Sequence, residues 1–184
     1  WSRCGPLGRA LPRLGDAVVG ASCCRRLSGP RSPDDEVRMA IQSVLFLCVA
    51  NSARSQMAEG LARHLGKGAV EAYSAGLEPR GLNPLAVSAM DEVGIDIRDQ
   101  TSKGMDPDLL KRMDWVITVC GNAQEKCPVP PETVRRDHWP LEDPAAVAGE
   151  ESERLRFFRK VRDELADRVR RFISEAVNLP PSRL

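Results

Sequence analysis

I-Q-S-V-L-F-L-C, residues 41–48, runs into V-A-N-S-A-R-S-Q-M-A-E-G-L-A-R-H-L, residues 49–65, and the join between the two decides the fold. The first stretch is a short apolar run of the kind buried on both faces of a parallel sheet, and it reads as a first strand. Met57, Leu61 and Leu65 then recur at i, i+4 and i+8, with Gly66 and Gly68 just beyond, so residues 55–65 predict a helix with a glycine stop.

Outward from that join the alternation continues. Residues 70–74 predict a second strand, and Pro84 opens a helix carrying Leu85, Met90 and Val93 that stops at Gly94. A shorter helix is expected over 107–113 and a third strand, D-W-V-I-T-V-C, over 114–120. P-V-P-P at 128–131 interrupts structure before a weaker extended segment at 134–139. Leu155, Phe158, Val161, Leu165, Val169 and Phe172 mark a long amphipathic helix whose aromatic stripe is core. Strands alternating with helices predict an α/β fold built on a parallel sheet.

A chain of 184 residues fits one domain with a real core. With 42% apolar and 29% charged residues the composition is globular, and no apolar run approaches the roughly 20 residues of a bilayer-crossing helix. The formal charge is +1, so no global field recruits nucleic acid or a membrane surface, and any anion site must be local. Aromatics at 4% argue against stacking platforms for single strands. A soluble, cytoplasmic monomer with no nucleic-acid or membrane partner is the expectation.

Residues 1–38 differ from the rest. They hold seven Arg, four acids and three of the six Cys, with no sustained period, and leave the remainder slightly acidic. An Arg-rich beginning suits an organelle transit segment, but Asp34, Asp35 and Glu36 do not. The favoured reading places residues 1–38 as an upstream or disordered tail, with translation beginning at Met39 and the folded domain over 39–184.

The passage between first strand and first helix carries the chemistry. A strand feeding a helix through a tight loop points backbone N–H groups and the positive helix end at one spot, which favours a tetrahedral oxyanion. Cys48 sits at that spot. Arg54 can return across the loop as a fork for two anion oxygens, and Ser55 can donate toward the sulfur. Helix ends and nearby cations stabilise a thiolate, which would make Cys48 a nucleophile. Asn51, Ser52, Ala53, Arg54 and Ser55 are expected to bind the anion. A buried structural cysteine is the plainer alternative, and the loop context favours the nucleophile over it.

R-S-Q-M-A-E-G at 54–60, Y-S-A-G at 73–76, the pair Cys120 and Cys127 in C-G-N-A-Q-E-K-C, and H-W-P-L-E-D-P-A at 138–145 complete the pattern. From about residue 41 to 172 the sequence resembles the low-molecular-weight tyrosine phosphatase family, and more closely its thioredoxin-coupled arsenate reductase branch. The resemblance implies a three-layer α/β fold, a four-stranded parallel sheet with helices on both faces, and Cys48 in a phosphate-binding loop. It implies that Cys48 attacks arsenate held by Arg54 while Asp143 acts as general acid, and that Cys120 and then Cys127 relay the electrons, with thioredoxin as final reductant. No metal or organic cofactor is implied. A helical 120–127 segment would separate its ends by roughly 10 Å, beyond disulfide reach, so that relay requires a rearrangement.

Other readings of the same residues stand beside this one. Cys120, Cys127 and His138 make poor zinc spacing. Asp143 before Pro144 could serve only a turn. His64 reads as a helix-surface residue, His138 as support for the acid loop, and Cys4, Cys23 and Cys24 match nothing. A phosphatase using Cys48, Arg54 and Asp143 alone would tolerate Cys120→Ser, and a cysteine-based arsenic sensor would bind without turnover. A low-molecular-weight thiol could replace thioredoxin, although three cysteines favour the latter. In some relatives, positions matching Asn51, Glu59, Ser74 and Thr101, with an acid where this chain has Lys103, hold potassium. The Lys103 ammonium would remove the need for that ion.

Overall fold

The computed structural model describes residues 41–121 and 130–176. The tail assigned to 1–38, Met39 and the second relay cysteine, Cys127, lie outside the described residues. Among those described, the elements are β1 (Gln42–Cys48), α1 (Arg54–Gly66), β2 (Val70–Gly76), α2 (Pro84–Asp91), α3 (Pro107–Lys111), β3 (Trp115–Thr118), β4 (Arg135–His138), a 3-10 turn (Pro144–Ala146) and α4 (Glu151–Ala176). The sheet is four-stranded and parallel throughout, in the order β2-β1-β3-β4.

Every residue of β1 is buried, as its apolar run requires of a central strand covered on both faces. Val44, Phe46 and Cys48 project to one side, where they join Met57 and Leu61 of α1, Ala86 and Met90 of α2, and Phe158, Leu165 and Phe172 of α4. Leu45 and Leu47 project to the other, against Leu110 of α3, Met113 and Val116. Fully burying a side chain such as Phe46 contributes about 1.5–3 kcal/mol, so β1 anchors both layers. Trp139 joins them to the sheet end, 5.8 Å from Phe46 and 6.1 Å from Phe172 between ring centroids.

The helices begin and end where local chemistry dictates. Asn83 accepts the Leu85 amide ahead of Pro84, and Asp106 accepts the Asp108 amide ahead of Pro107. Lys67 closes α1 in the left-handed region at φ 39°. β4, with sequence R-R-D-H, forms an edge strand whose charges discourage pairing with another sheet.

Several predicted boundaries move. The third strand, expected over 114–120, is regular only over Trp115–Thr118. Asp114 is instead turned to Ser43, its carboxylate accepting both the Ser43 amide at 2.9 Å and the Ser43 hydroxyl at 2.7 Å. Its Val119 amide still reaches the Leu47 carbonyl at 2.9 Å. The helix expected over 107–113 ends at Lys111, and α4 starts at Glu151, ahead of its first apolar repeat, because its opening turn is polar.

The chain leaves β1 for β2 on one side and then crosses to β3 on the other. Such a reversal opens a crevice beyond the carboxyl ends of β1 and β3, where ligands bind in open α/β sheets. Cys48 and Cys120 lie at that crevice.

Candidate active site

Residues 49–53 form the turn from β1 into α1. Asn51 stands at its crown with φ 44°, a left-handed conformation that asparagine tolerates better than most residues. Its side chain is held from all sides. Nδ2 donates to Ser55 Oγ at 3.0 Å and to Ser74 Oγ at 2.9 Å. Oδ1 accepts from Gln56 Nε2 at 3.1 Å and from the Lys103 amide at 2.6 Å. Gln56 Nε2 also reaches the Asn51 carbonyl at 3.1 Å and the Thr101 carbonyl at 3.0 Å. Asn51, Ser55, Gln56, Glu59 and Ser74 are buried, so the bonds among their own side chains are shielded from water.

The network ends on the sulfur. The Asn51 amide donates to Cys48 Sγ at 3.0 Å, and Ser55 Oγ lies 2.9 Å from the same atom. Because Ser55 Oγ already accepts from Asn51 Nδ2, its own proton is available to the sulfur. Ser74 Oγ is arranged likewise, accepting from Asn51 and donating to Glu59 Oε2 at 2.5 Å. Two hydrogen-bonding groups therefore converge on one sulfur.

The outer edge of the loop is fastened to residues 77–83. The carbonyls of Cys48, Val49, Ala50 and Ser52 accept the amides of Leu77 (3.3 Å), Glu78 (2.8 Å), Arg80 (3.1 Å) and Asn83 (2.9 Å). Four loop carbonyls are thus turned outward, while the Asn51 amide points inward to the sulfur. Gly76 permits the close approach: a Cβ there would lie 2.7 Å from the Val49 oxygen and 2.8 Å from the Asn51 amide nitrogen.

A cavity of about 440 Å³ opens over the loop, with Cys48, Ser52, Ala53, Arg54, Arg80 and Asp143 in its wall. Arg54, the first residue of α1, donates from Nη1 to the Leu141 carbonyl at 3.0 Å and from Nη2 to Asp143 Oδ2 at 2.9 Å. Asp143 also caps the 3-10 turn, accepting the Ala145 amide at 3.1 Å, so it serves a turn and faces the cavity at once.

Cys120 lies two residues past β3 and is buried. Burial pushes its thiol above the ordinary range, while the Arg54 charge pulls it down and the Cys48 sulfur pushes it up. Cys48 and Cys120 belong to one buried cluster.

Of the anion-binding residues expected from sequence, Ser52, Ala53 and Arg54 line the cavity, whereas Asn51 and Ser55 sit behind the sulfur and contact it directly. His138 Nδ1 pairs with Thr118 Oγ1 at 2.7 Å, and His64 is exposed. Among the described residues no group of three or more His, Cys, Asp or Glu could hold a metal. No helix among them is long and apolar enough to cross a membrane. Sequence reasoning assigned no role to Gln56, the Leu141 carbonyl or Arg80. A glutamine at the third position of a polar loop-to-helix junction was the one available hint.

A buried cysteine and an arginine joined by a tight strand-to-helix turn stand at the crevice of a parallel sheet. The chain belongs to the low molecular weight phosphotyrosine protein phosphatase family, which matches residues 43–179. It is 53% identical over 135 residues to an arsenate reductase of Bacillus licheniformis, covering 73% of this chain and 96% of that protein. Among solved structures it is similar to an arsenate reductase in the phosphate-binding state, with 39% identity, a TM-score of 0.61, and coverage of 73% of this chain and 98% of the other. A thioredoxin-dependent arsenate reductase of Corynebacterium glutamicum is 29% identical with a TM-score of 0.59, over 78% of this chain and 65% of that one.

Proposed function

We propose that this protein reduces arsenate to arsenite by a thiol relay, with Cys48 as nucleophile and Cys120 and Cys127 as the resolving pair. The observation that carries the reading is the second buried thiol, Cys120, placed two residues beyond β3 in the same buried cluster as Cys48. Hydrolysis of a phosphate ester has no use for it.

The Cys48 thiolate attacks arsenic(V) in the cradle, a sulfur–arsenic bond forms, and one arsenate oxygen leaves as water with a proton from Asp143, which takes that proton up when the arriving oxyanion displaces it from Arg54. Cys120 then attacks Cys48 Sγ. The sulfur–sulfur bond forms as the sulfur–arsenic bond breaks, its electron pair stays on arsenic, and arsenite departs. Cys127 attacks Cys120, which frees the Cys48 thiolate and leaves a Cys120–Cys127 disulfide. A dithiol protein of the thioredoxin type reduces that bond, the donor named for the Corynebacterium glutamicum relative. The relay needs no metal or organic cofactor, and a reducing cytoplasm suits a monomer working this way. Family membership also favours residual phosphate-monoester hydrolysis at Cys48.

The decisive experiment is single-turnover incubation with arsenate, followed by peptide mapping of disulfides. Wild type should accumulate Cys120–Cys127, and Cys127→Ser should trap Cys48–Cys120. Absence of that trapped bond refutes the order of attack.

A further inference from the structure

Resting on the reading of the cavity as an oxyanion pocket, we propose that Arg80 is its second anion-recognising residue, drawing the doubly charged oxyanion to the mouth before Arg54 holds it. The cavity wall contains two cations, Arg54 and Arg80, and one acid, Asp143. Arg54 is committed to Asp143 and to the Leu141 carbonyl, so its charge is largely offset before any substrate arrives. A dianion entering such a pocket would meet little net attraction from Arg54 and Asp143 together. Arg80 supplies the missing charge.

Its position is set by the main chain. The Arg80 amide bonds the Ala50 carbonyl at 3.1 Å, which fixes its Cα against the loop whatever the side chain does. The guanidinium pairs with Glu78 at 3.0 Å, but the two side chains are 69% and 66% exposed. An ion pair that open to water is weak and exchanges readily, so the arginine is free to swing toward an arriving anion. Glu78 does not line the cavity and acts as a parking partner. A cleft whose charges sum to net positive concentrates anions and speeds their capture, and salt suppresses the effect.

The test compares Arg80→Ala, Arg80→Lys and Glu78→Gln with the intact protein, using two readouts. One is thioredoxin-coupled arsenate turnover. The other is the concentration of inorganic phosphate that half-protects Cys48 from iodoacetamide, which requires no turnover. Arg80→Ala should raise both the arsenate KM and the half-protecting phosphate concentration by about fivefold or more at low salt, with a much smaller fall in kcat. The difference should shrink toward nothing at roughly 0.5 M sodium chloride. Arg80→Lys should recover most of the loss, and Glu78→Gln should shift both constants the opposite way. Phosphate protection unchanged in Arg80→Ala, or changed equally at every salt concentration, overturns the assignment. Lack of arsenate turnover by the intact protein would instead count against the proposed reduction, with phosphate protection still deciding the role of Arg80.

Discussion

Arg54 Nη2 lies 2.9 Å from Asp143 Oδ2 and ties the start of α1 to the 3-10 turn across the cavity mouth. That contact holds the carboxyl group in the cavity wall that also carries Cys48, and the proposed reduction uses it as the proton donor to the departing oxygen. Asp143→Asn keeps the cap on the turn but has no proton to give, so kcat for arsenate should fall about 10²–10⁴-fold. Thermal stability should change little, because the carboxylate end of the pair is open to water, and such a pair contributes about 0–1 kcal/mol. Steady-state kinetics and a melting curve on the same sample check both parts.

Gly76→Ala tests the closeness of β2 to the loop. The added carbon would meet backbone atoms of Val49 and Asn51 below 3.0 Å, and backbone cannot swing aside as a side chain can. Overpacking of this kind costs about 1–3 kcal/mol. The loop would be displaced from the sulfur, so activity should be lost well before the fold is. Circular dichroism close to wild type together with turnover reduced at least about tenfold is the expected pair of results.

The pH dependence of Cys120 follows from its burial. Its folded-state value lies above that of the unfolded chain, so its contribution to stability is complete below the ordinary thiol range and disappears as pH rises through the raised value. Urea unfolding followed from about pH 8 to 10 should show a decline in wild type that Cys120→Ala lessens. Equal slopes for the two proteins would contradict a buried, desolvated thiol.

Lys103 Nζ stands 3.7 Å from Glu59 Oε2, next to the Ser74–Asn51 network behind the loop. With an ammonium already facing that buried carboxylate, arsenate turnover should not respond to exchanging sodium for potassium at constant ionic strength. Lys103→Asp should create a potassium response, measurable as a change in KM or kcat on the same exchange. A strong potassium stimulation of the unmodified protein would rule out this role for the lysine.

Legibility in the sequence followed the length of the periodic signal. The eight-residue run ending at Cys48 and the repeat from Leu155 to Phe172 were readable because many apolar positions agree on one face. β3 was overestimated because Val119 and Cys120 are as apolar as the strand proper, although regular pairing with both β1 and β4 stops at Thr118. Cys48, Arg54 and Asn51 were visible as a spacing. Gln56 was not, since one buried amide serving Asn51 and Thr101 depends on a segment 45 positions away. The pairing of residues 77–83 with the loop was equally hidden, because main-chain bonds leave almost no mark on residue identity beyond Gly76.

That pairing separates two properties of the molecule. The wall is sewn to the cradle through peptide groups, so the side chains at Glu78, Arg80 and Leu82 can be rewritten without unpicking the seam. Selectivity among oxyanions can therefore drift from one descendant to the next while the sulfur and its attendants stay in register.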